Sequence, residues 1–414
     1  MAVAFADSSI VVLALPDLYS AFKTSIVGVS WVITSYNLVV AVVAAAIAAL
    51  SRHLDPRRWA QVGLALFTAA SIGCAASWSL PALIVFRCVQ GLGAAFLLAT
   101  SISLLGGLVG SRERGISLWT NVAVLGAALG PVLGGVLTQL FDWRAIFVVQ
   151  APVAGVALLA TSAGAVALES EEHRRRGHGA LAADTALGFV FAALVGALVV
   201  SALPAATIAA RPVGRDLRPW QAVSGGVLLL AAGLLALAVL PRVSNLLVAV
   251  ALAFCGLGIG LAVPVLTRIA LHQDTGLVRS GAITVSARHA GLVLALALVA
   301  PLLTSSLDRA GEQALLGGTK EILDANVPVQ KKVPIALSLR DALQSAKKGE
   351  VPDLRKPFDD AGARSNDNVR HARDSLITTL ESALTRGFRS SFALAALFAL
   401  LALIPALRLR RRPA

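Results

Sequence analysis

Two opposite charges in apolar surroundings are the strongest chemical signal in this sequence. Arg87 stands inside a run that is otherwise apolar from Leu80 to Leu108, about seven residues or roughly 10 Å of helical rise from its start. A guanidinium at that depth in a bilayer costs ~2.5–3.5 kcal/mol on insertion scales, so it must face protein or a wet cavity and find a partner. Asp7, in A-D-S-S-I-V-V-L-A-L-P, is the opposite charge in the same half of the chain. A carboxylate out of water takes up a proton more readily and a nearby guanidinium opposes this, so a change in their separation loads and unloads a proton. Asp7 is then the expected proton carrier, tuned by Arg87, which stays charged at any relevant pH. His289, in S-A-R-H-A-G-L, is the third coupling candidate, because imidazole titrates near neutral pH. The plainer reading is a satisfied interior histidine, with Arg288 beside it snorkelling to an interface.

The elements that must position these charges are membrane helices. A chain of 414 residues that is 57% hydrophobic and 14% charged, with a mean hydropathy of +0.78, is too apolar to be a water-soluble fold. The net charge of +13 is scattered in short loops between apolar runs and forms no stripe with interleaved aromatics, so no nucleic-acid partner is expected. Cys74, Cys88 and Cys255 all lie in apolar runs without ligand spacing and read as small buried hydrophobes rather than disulfides or metal ligands.

Apolar runs fall at about 3–16, 31–50, 60–78, 80–108, 115–140 and 145–167, then at 185–208, 222–240, 245–266, 282–304 and 389–407. The second to the sixth are long enough to span; the first is short, which points to a start upstream of Met1. Between the two sets lies a polar linker, E-S-E-E-H-R-R-R-G-H-G, whose His173 and His178 read as solvated.

Several strings resemble the Major Facilitator Superfamily in its drug:proton antiporter branch. R-C-V-Q-G-L-G-A-A, with Arg87, Gln90, Gly91 and Gly93, resembles the branch's fourth-helix signature. Gly126, Gly130, Pro131, Gly134 and Gly135, in G-A-A-L-G-P-V-L-G-G, match its fifth-helix motif in full. Physically, glycines at four-residue spacing make a smooth face for close helix packing, and the proline permits a bend. Asp7 with Ala14-Leu15-Pro16 resembles the first helix. Trp31 and Tyr36, in W-V-I-T-S-Y, resemble the second and are candidates for the substrate path. Asp55, Arg57 and Arg58, in S-R-H-L-D-P-R-R-W, sit where the family carries a gate loop, here without its glycine; an ordinary basic loop fits equally well. D-W-R-A-I-F opens the sixth helix, with Gln150 where the family commonly has asparagine.

The resemblance implies an all-α integral membrane protein of two pseudo-symmetric helical bundles, with about 11 transmembrane helices where the family has 12 or 14. The expected units are an N-terminal bundle at 1–167, a cytoplasmic linker at 168–184, a second bundle at 185–304, an extracytoplasmic helical insert at 305–387, a last span at 388–407 and a basic tail at 408–414. Charge sets the orientation. Arg52, Arg57, Arg58, Arg112, Arg114 and Arg174 to Arg176 fall on one side, against Lys23 and Arg144 on the other, so the basic side is cytoplasmic. Counting back from the tail arginines puts Arg211, Arg215 and Arg218 inside too, which a single span at 185–208 does not allow. Either that run fails to cross, or it is a cramped hairpin, or the chain lacks about one helix relative to the family. Residues 305–387 carry 13 Lys or Arg and 12 Asp or Glu and cannot be a span. Helix-like patches at 335–346 and 366–387 favour a small cap over the outer mouth.

By this resemblance the chain exports a small organic compound in exchange for protons, by alternating access, in a bacterial inner membrane. Its partners are then lipid, the substrate and protons, with the oligomeric state left open. No cofactor is implied, since there is no G-x-x-x-x-G-K-[ST] loop, and no nucleophile, base and orienter stand at enzyme-like spacing. Alternatives are a metabolite exporter of the same fold and a decayed transporter that acts as a membrane partner through residues 305–387.

Overall fold

A computed structural model of the chain describes residues 1–162, 198–240, 245–272, 276–324 and 367–408, with isolated positions between 325 and 366. The linker with His173 and His178 and the first part of the 185–208 run lie outside the described residues. Among the described residues the secondary structure is helical, and nine helices are long and apolar enough to cross a membrane.

The first bundle holds α1 (Ala2–Ile10), joined by a 3-10 turn at Val11–Ala14 to α2 (Leu15–Phe22), then α3 (Ile26–Leu50), α4 (Pro56–Ala75), α5 (Leu80–Leu108), α6 (Arg112–Leu140) and α7 (Arg144–Ser162). The first run is longer than its apolar stretch suggested. Pro16 sits in the opening turn of α2, where a missing N–H costs nothing, and the candidate span extends over Ala2–Phe22. Helix starts follow from caps: Ser25, Asp55, Ser79 and Ser111 each accept a hydrogen bond from a backbone N–H in the turn they open. α4 is not among the nine apolar spans, its first turn bearing Arg57 and Arg58, but it packs fully against α5 and α7.

The second bundle holds α8 (Leu198–Asp216), α9 (Pro219–Val239), α10 (Asn245–Leu271), α11 (Leu277–Asp324) and α12 (Asp367–Leu401), followed by α13 (Leu403–Arg408). Of the 185–208 run, only the part from Leu198 onward lies among the described residues. Its last residues belong to a helix that runs on through Arg211 and Pro212 to Asp216, ending at Arg218, which opens α9. α11 continues past Leu302 to Asp324, roughly 30 Å beyond the apolar span, and α12 runs unbroken from the polar patch at Asp367 into the last span. Ile335, Phe358 and Val369 are buried.

The halves repeat a packing scheme. A Cβ at Gly93 would lie 2.6 Å from the Gly63 carbonyl, where α5 meets α4, and Gly226 and Gly258 make the same contact where α9 meets α10. Gly91 lies against the Tyr36 carbonyl on α3, and Gly256 against the Leu203 carbonyl on α8. Positive-φ glycines close equivalent turns, Gly110 after α5 and Gly276 after α10. Placing Gly256 and Gly258 on Gly91 and Gly93 puts Leu252 where Arg87 stands and Cys255 where Gln90 stands. The scaffold is duplicated and the charge is not. The counterpart of α1 falls before Leu198, outside the described residues.

The bundles meet along two seams. On one, α11 lies against α3 and α5, with Ser286 donating to the Ala41 carbonyl at 2.8 Å and Gly281 against Ile102. On the other, α6 faces α8 and α10, where Arg211 donates to Asn121.

Candidate functional site: a closed ring around Asp7 and Arg87

Five helices bring one polar cluster into the first bundle. Nη1 of Arg87 donates to Asp7 Oδ2 at 2.5 Å and to Gln90 Oε1 at 2.7 Å. Gln90 Nε2 donates to Gln150 Oε1 at 2.9 Å, and Gln150 Nε2 donates back to Asp7 Oδ1 at 2.7 Å. Carboxylate, guanidinium and two amides therefore form a closed ring, in which each amide orientation is dictated by its neighbours. Ser71 on α4 accepts a second bond from Gln90 Nε2 at 2.9 Å and passes its own proton to the Phe67 carbonyl. Arg87 Nε donates to the Val32 carbonyl at 3.0 Å, and its guanidinium carbon lies 4.3 Å from the centre of the Tyr36 ring.

The site is dry. Asp7, Arg87, Gln90, Ser71 and Tyr36 are fully buried and Gln150 is 2% exposed. The Asp7–Arg87 pair stands at 0% exposure on both sides, where removing one partner from such a pair costs ~3–5 kcal/mol because the other charge is left unmatched. Arg87 Nη2 is buried with no hydrogen-bond partner, which leaves one arm of the fork in reserve.

α1, which carries Asp7, is fixed from three directions. The Tyr36 hydroxyl donates to the Ala4 carbonyl at 3.0 Å, Phe5 packs edge-on against Trp119 at 5.0 Å, and Ser9 donates to the Ala127 carbonyl at 3.0 Å. The glycine face of α6 permits this approach. A Cβ at Gly126 would stand 2.8 Å from the Ala2 carbonyl, one at Gly130 2.8 Å from the Ala6 carbonyl, and one at Gly134 on top of the Ile10 carbonyl. Gly135 borders Leu13, and Pro131 lies inside the same helix. The glycine motif thus seats the helix that bears the carboxylate.

Other expected site residues fall elsewhere. Trp31 is 48% exposed and does not line the cluster, because a ring five residues before Tyr36 sits on a different face of α3; only Tyr36 joins Arg87. Asp55 caps α4 and pairs with Arg58 at 3.4 Å on the surface, while Arg57 donates to the Thr161 carbonyl at the end of α7, contacts that lie within the first bundle. His289 is fully buried; its Nδ1 meets the Val285 carbonyl at 2.8 Å, its Nε2 has no partner, and its ring centre is 6.4 Å from that of Tyr36. Arg288 does not snorkel: it sits on the seam between bundles, its guanidinium carbon 5.0 Å from the Phe5 ring, because α11 packs flush against the first bundle there. Ser71 was not singled out by sequence. The signal available was a lone hydroxyl in an apolar run, and such hydroxyls most often bond their own helix.

The first 184 residues match the family model described as Major Facilitator Superfamily. The chain is 34% identical over 224 residues to the multidrug resistance protein Stp of Mycobacterium tuberculosis, which is 53% of this chain and 40% of that one. It is 36% identical over 163 residues to the drug efflux pump JefA of the same organism, covering 39% and 32%, and 33% identical over 156 residues to the tetracenomycin C resistance and export protein of Streptomyces glaucescens, covering 37% and 29%. The chain thus spans less than half the length of these curated relatives. Among solved structures, a bacterial homologue of the human lysosomal transporter Spinster superposes over 99% of this chain and 94% of its own, with a TM-score of 0.57 at 14% identity. The xylose transporter XylE of E. coli superposes over 70% and 87%, with a TM-score of 0.53 at 11% identity. At that identity the likeness shows the fold alone, and with its nine long apolar helices among the described residues the chain is a multi-pass membrane protein.

Proposed function

We propose that the chain moves small organic or drug-like compounds across a bacterial membrane in exchange for protons, by alternating access, with Asp7 as proton carrier and Arg87 as the group that sets its proton affinity. The observation that carries this reading is the dry ring of Asp7, Arg87, Gln90 and Gln150. An ionised carboxylate in such a place is stable only while the guanidinium holds it, so a conformation that draws α1 from α5 invites a proton onto Asp7. Closing the ring again expels that proton. The names of the relatives, a multidrug resistance protein and a drug efflux pump among them, support export of organic compounds. The basic end, with Arg52, Arg57, Arg58, Arg112 and Arg114, is cytoplasmic on this reading.

A second reading, a metabolite exporter, is favoured by one relative, the riboflavin transporter RibZ of Clostridioides difficile, 31% identical over 154 residues. Proton-driven uptake of ethidium into inverted vesicles tests the first reading. Accumulation that collapses with a protonophore supports it, and none above empty vesicles would leave the metabolite reading standing.

A further inference from the structure

We propose that Asn37 on α3 and His289 on α11 form a recognition site in the seam between the bundles for a hydrogen-bond donor, an uncharged N–H or a hydroxyl, carried by the transported compound. The site rests on the transport reading for the reason a compound reaches the seam. Asn37 and His289 are fully buried, and each leaves one side-chain atom without a hydrogen-bond partner, Oδ1 of Asn37 and Nε2 of His289. The partners they do have fix what those atoms offer. Nδ2 of Asn37 donates to the Ile33 carbonyl at 2.9 Å, so the amide cannot be turned about and its unmet atom is the carbonyl oxygen. Nδ1 of His289 lies 2.8 Å from the Val285 carbonyl, which can only accept, so Nδ1 carries the proton and Nε2 of the neutral ring is a bare lone pair. Both unmet atoms are acceptors, and neither can satisfy the other.

Helix packing brings the two acceptors to one level. Arg87 and Gly91 of α5 meet Val32 and Tyr36 of α3 in rising order, whereas Ile102 and Gly106 meet Gly281 and Leu277 of α11 in falling order, so α3 and α11 run antiparallel. Ser286 donates to the Ala41 carbonyl across their seam, and one turn further from the basic end stand Asn37 on α3 and His289 on α11. The His289 ring centre lies 6.4 Å from that of Tyr36, the neighbour of Asn37. In the ring around Asp7, by contrast, every carboxylate and amide oxygen has its donor. A buried acceptor without a donor is costly, and two at one level of a seam that opens in alternating access call for a donor that arrives with the ligand. An ammonium is the poorer donor here, because Arg288 precedes His289 and the Arg87 guanidinium lies against the Tyr36 ring. An uncharged N–H or O–H meets no such repulsion.

The test compares ethidium with 5-ethyl-6-phenylphenanthridinium, the same cation without its ring amino groups. Their affinities for the purified full chain in phosphatidylcholine nanodiscs are read by titration calorimetry. The wild type should bind ethidium about tenfold more tightly than the analogue. Asn37→Leu and His289→Phe should each cut that ratio to about threefold, and the double variant should bring it to about one, with the analogue's affinity unchanged. His289→Gln, which restores an acceptor, should keep most of the ratio. Both apolar variants remove an unmet acceptor, so they should melt no lower than the wild type. Equal affinities in the wild type, ethidium that does not bind, or a ratio that survives in the double variant overturns the site. Binding needs no proton gradient, which separates this test from the transport reading. Ethidium uptake with a ratio of one sinks the site and leaves transport standing; a ratio near ten without uptake does the reverse.

Discussion

Gly130→Ala is the substitution that separates a helix seat from mere packing, because it alters no charged group. An alanine Cβ at 130 would lie 2.8 Å from the Ala6 carbonyl and 3.1 Å from the Ile10 nitrogen, and it would displace the Ser9 hydroxyl that holds the Ala127 carbonyl. The hydroxyl can rotate away; the backbone of α1 cannot. Ordinary contact begins near 3.4 Å, so α1 must retreat by 3.4 − 2.8 Å, roughly 0.6 Å. Asp7 is the next residue after Ala6. The same retreat takes its bonds to Arg87 and Gln150, 2.5 and 2.7 Å, to roughly 3.1–3.3 Å, the outer edge of useful hydrogen bonding. Losing about half of a charge-assisted bond worth ~1.5–3 kcal/mol is ~0.8–1.5 kcal/mol, or a roughly four- to twelvefold drop in exchange rate. The assay is proton-driven ethidium uptake into inverted vesicles, normalised to inserted protein. Gly225→Ala is the control, since nothing lies within 4 Å of a Cβ there, and it should exchange as the wild type does. Wild-type exchange by inserted Gly130→Ala would refute the link between the glycine face and Asp7, as would an equal loss in Gly225→Ala.

Further substitutions probe the ring itself. Gln150→Leu leaves Asp7 Oδ1 and one of the two N–H groups of Gln90 Nε2 without their partners in a buried site, and should lower stability by ~2–3 kcal/mol, read as a lower melting midpoint in detergent. Arg87→Lys keeps the charge but cannot serve Asp7, Gln90 and the Val32 carbonyl at once, so exchange should fall at least about tenfold while insertion persists, as measured by uptake per inserted molecule. In a double-mutant cycle, Asp7→Asn with Arg87→Gln should be less destabilising than the two single changes summed, by ~2 kcal/mol or more in chemical denaturation; additivity would mean the pair is not coupled. For orientation, a membrane-impermeant thiol reagent applied outside whole cells should label Asp341→Cys and spare Arg218→Cys, and the reverse pattern would invert the assignment.

Most of the first bundle could be read in the chain because its signals are local. Arg87 in an apolar run demanded a partner, and Asp7, eighty positions away, was the opposite charge the sequence offered for it; G-A-A-L-G-P-V-L-G-G announced a close helix contact, though not that it would be with α1. Gln150 was visible only as a departure from the family's usual asparagine. Its longer side chain is what spans from Gln90 to Asp7. Ser71 and Gly63 were silent, since a serine or glycine in a membrane helix acquires meaning only from the helix across from it. Charge counting located a conflict at 185–208, but it could not show that Arg211 and Arg215 interrupt the apolar pattern of α8 without ending the helix. Arg288 was misplaced for a related reason: its distance from the helix end suggested an interface, whereas the neighbouring bundle covers it.

The central claim is that Asp7 carries the exchanged proton, and the direct measurement is proton release from the purified protein on addition of a transported compound, followed in weak buffer with a pH dye, for the wild type and for Asp7→Asn. Binding is monitored in parallel by the compound's fluorescence. The wild type should release protons and Asp7→Asn none, while still binding the compound. Undiminished release by a mutant that binds the compound would remove Asp7 from the mechanism and contradict the assignment.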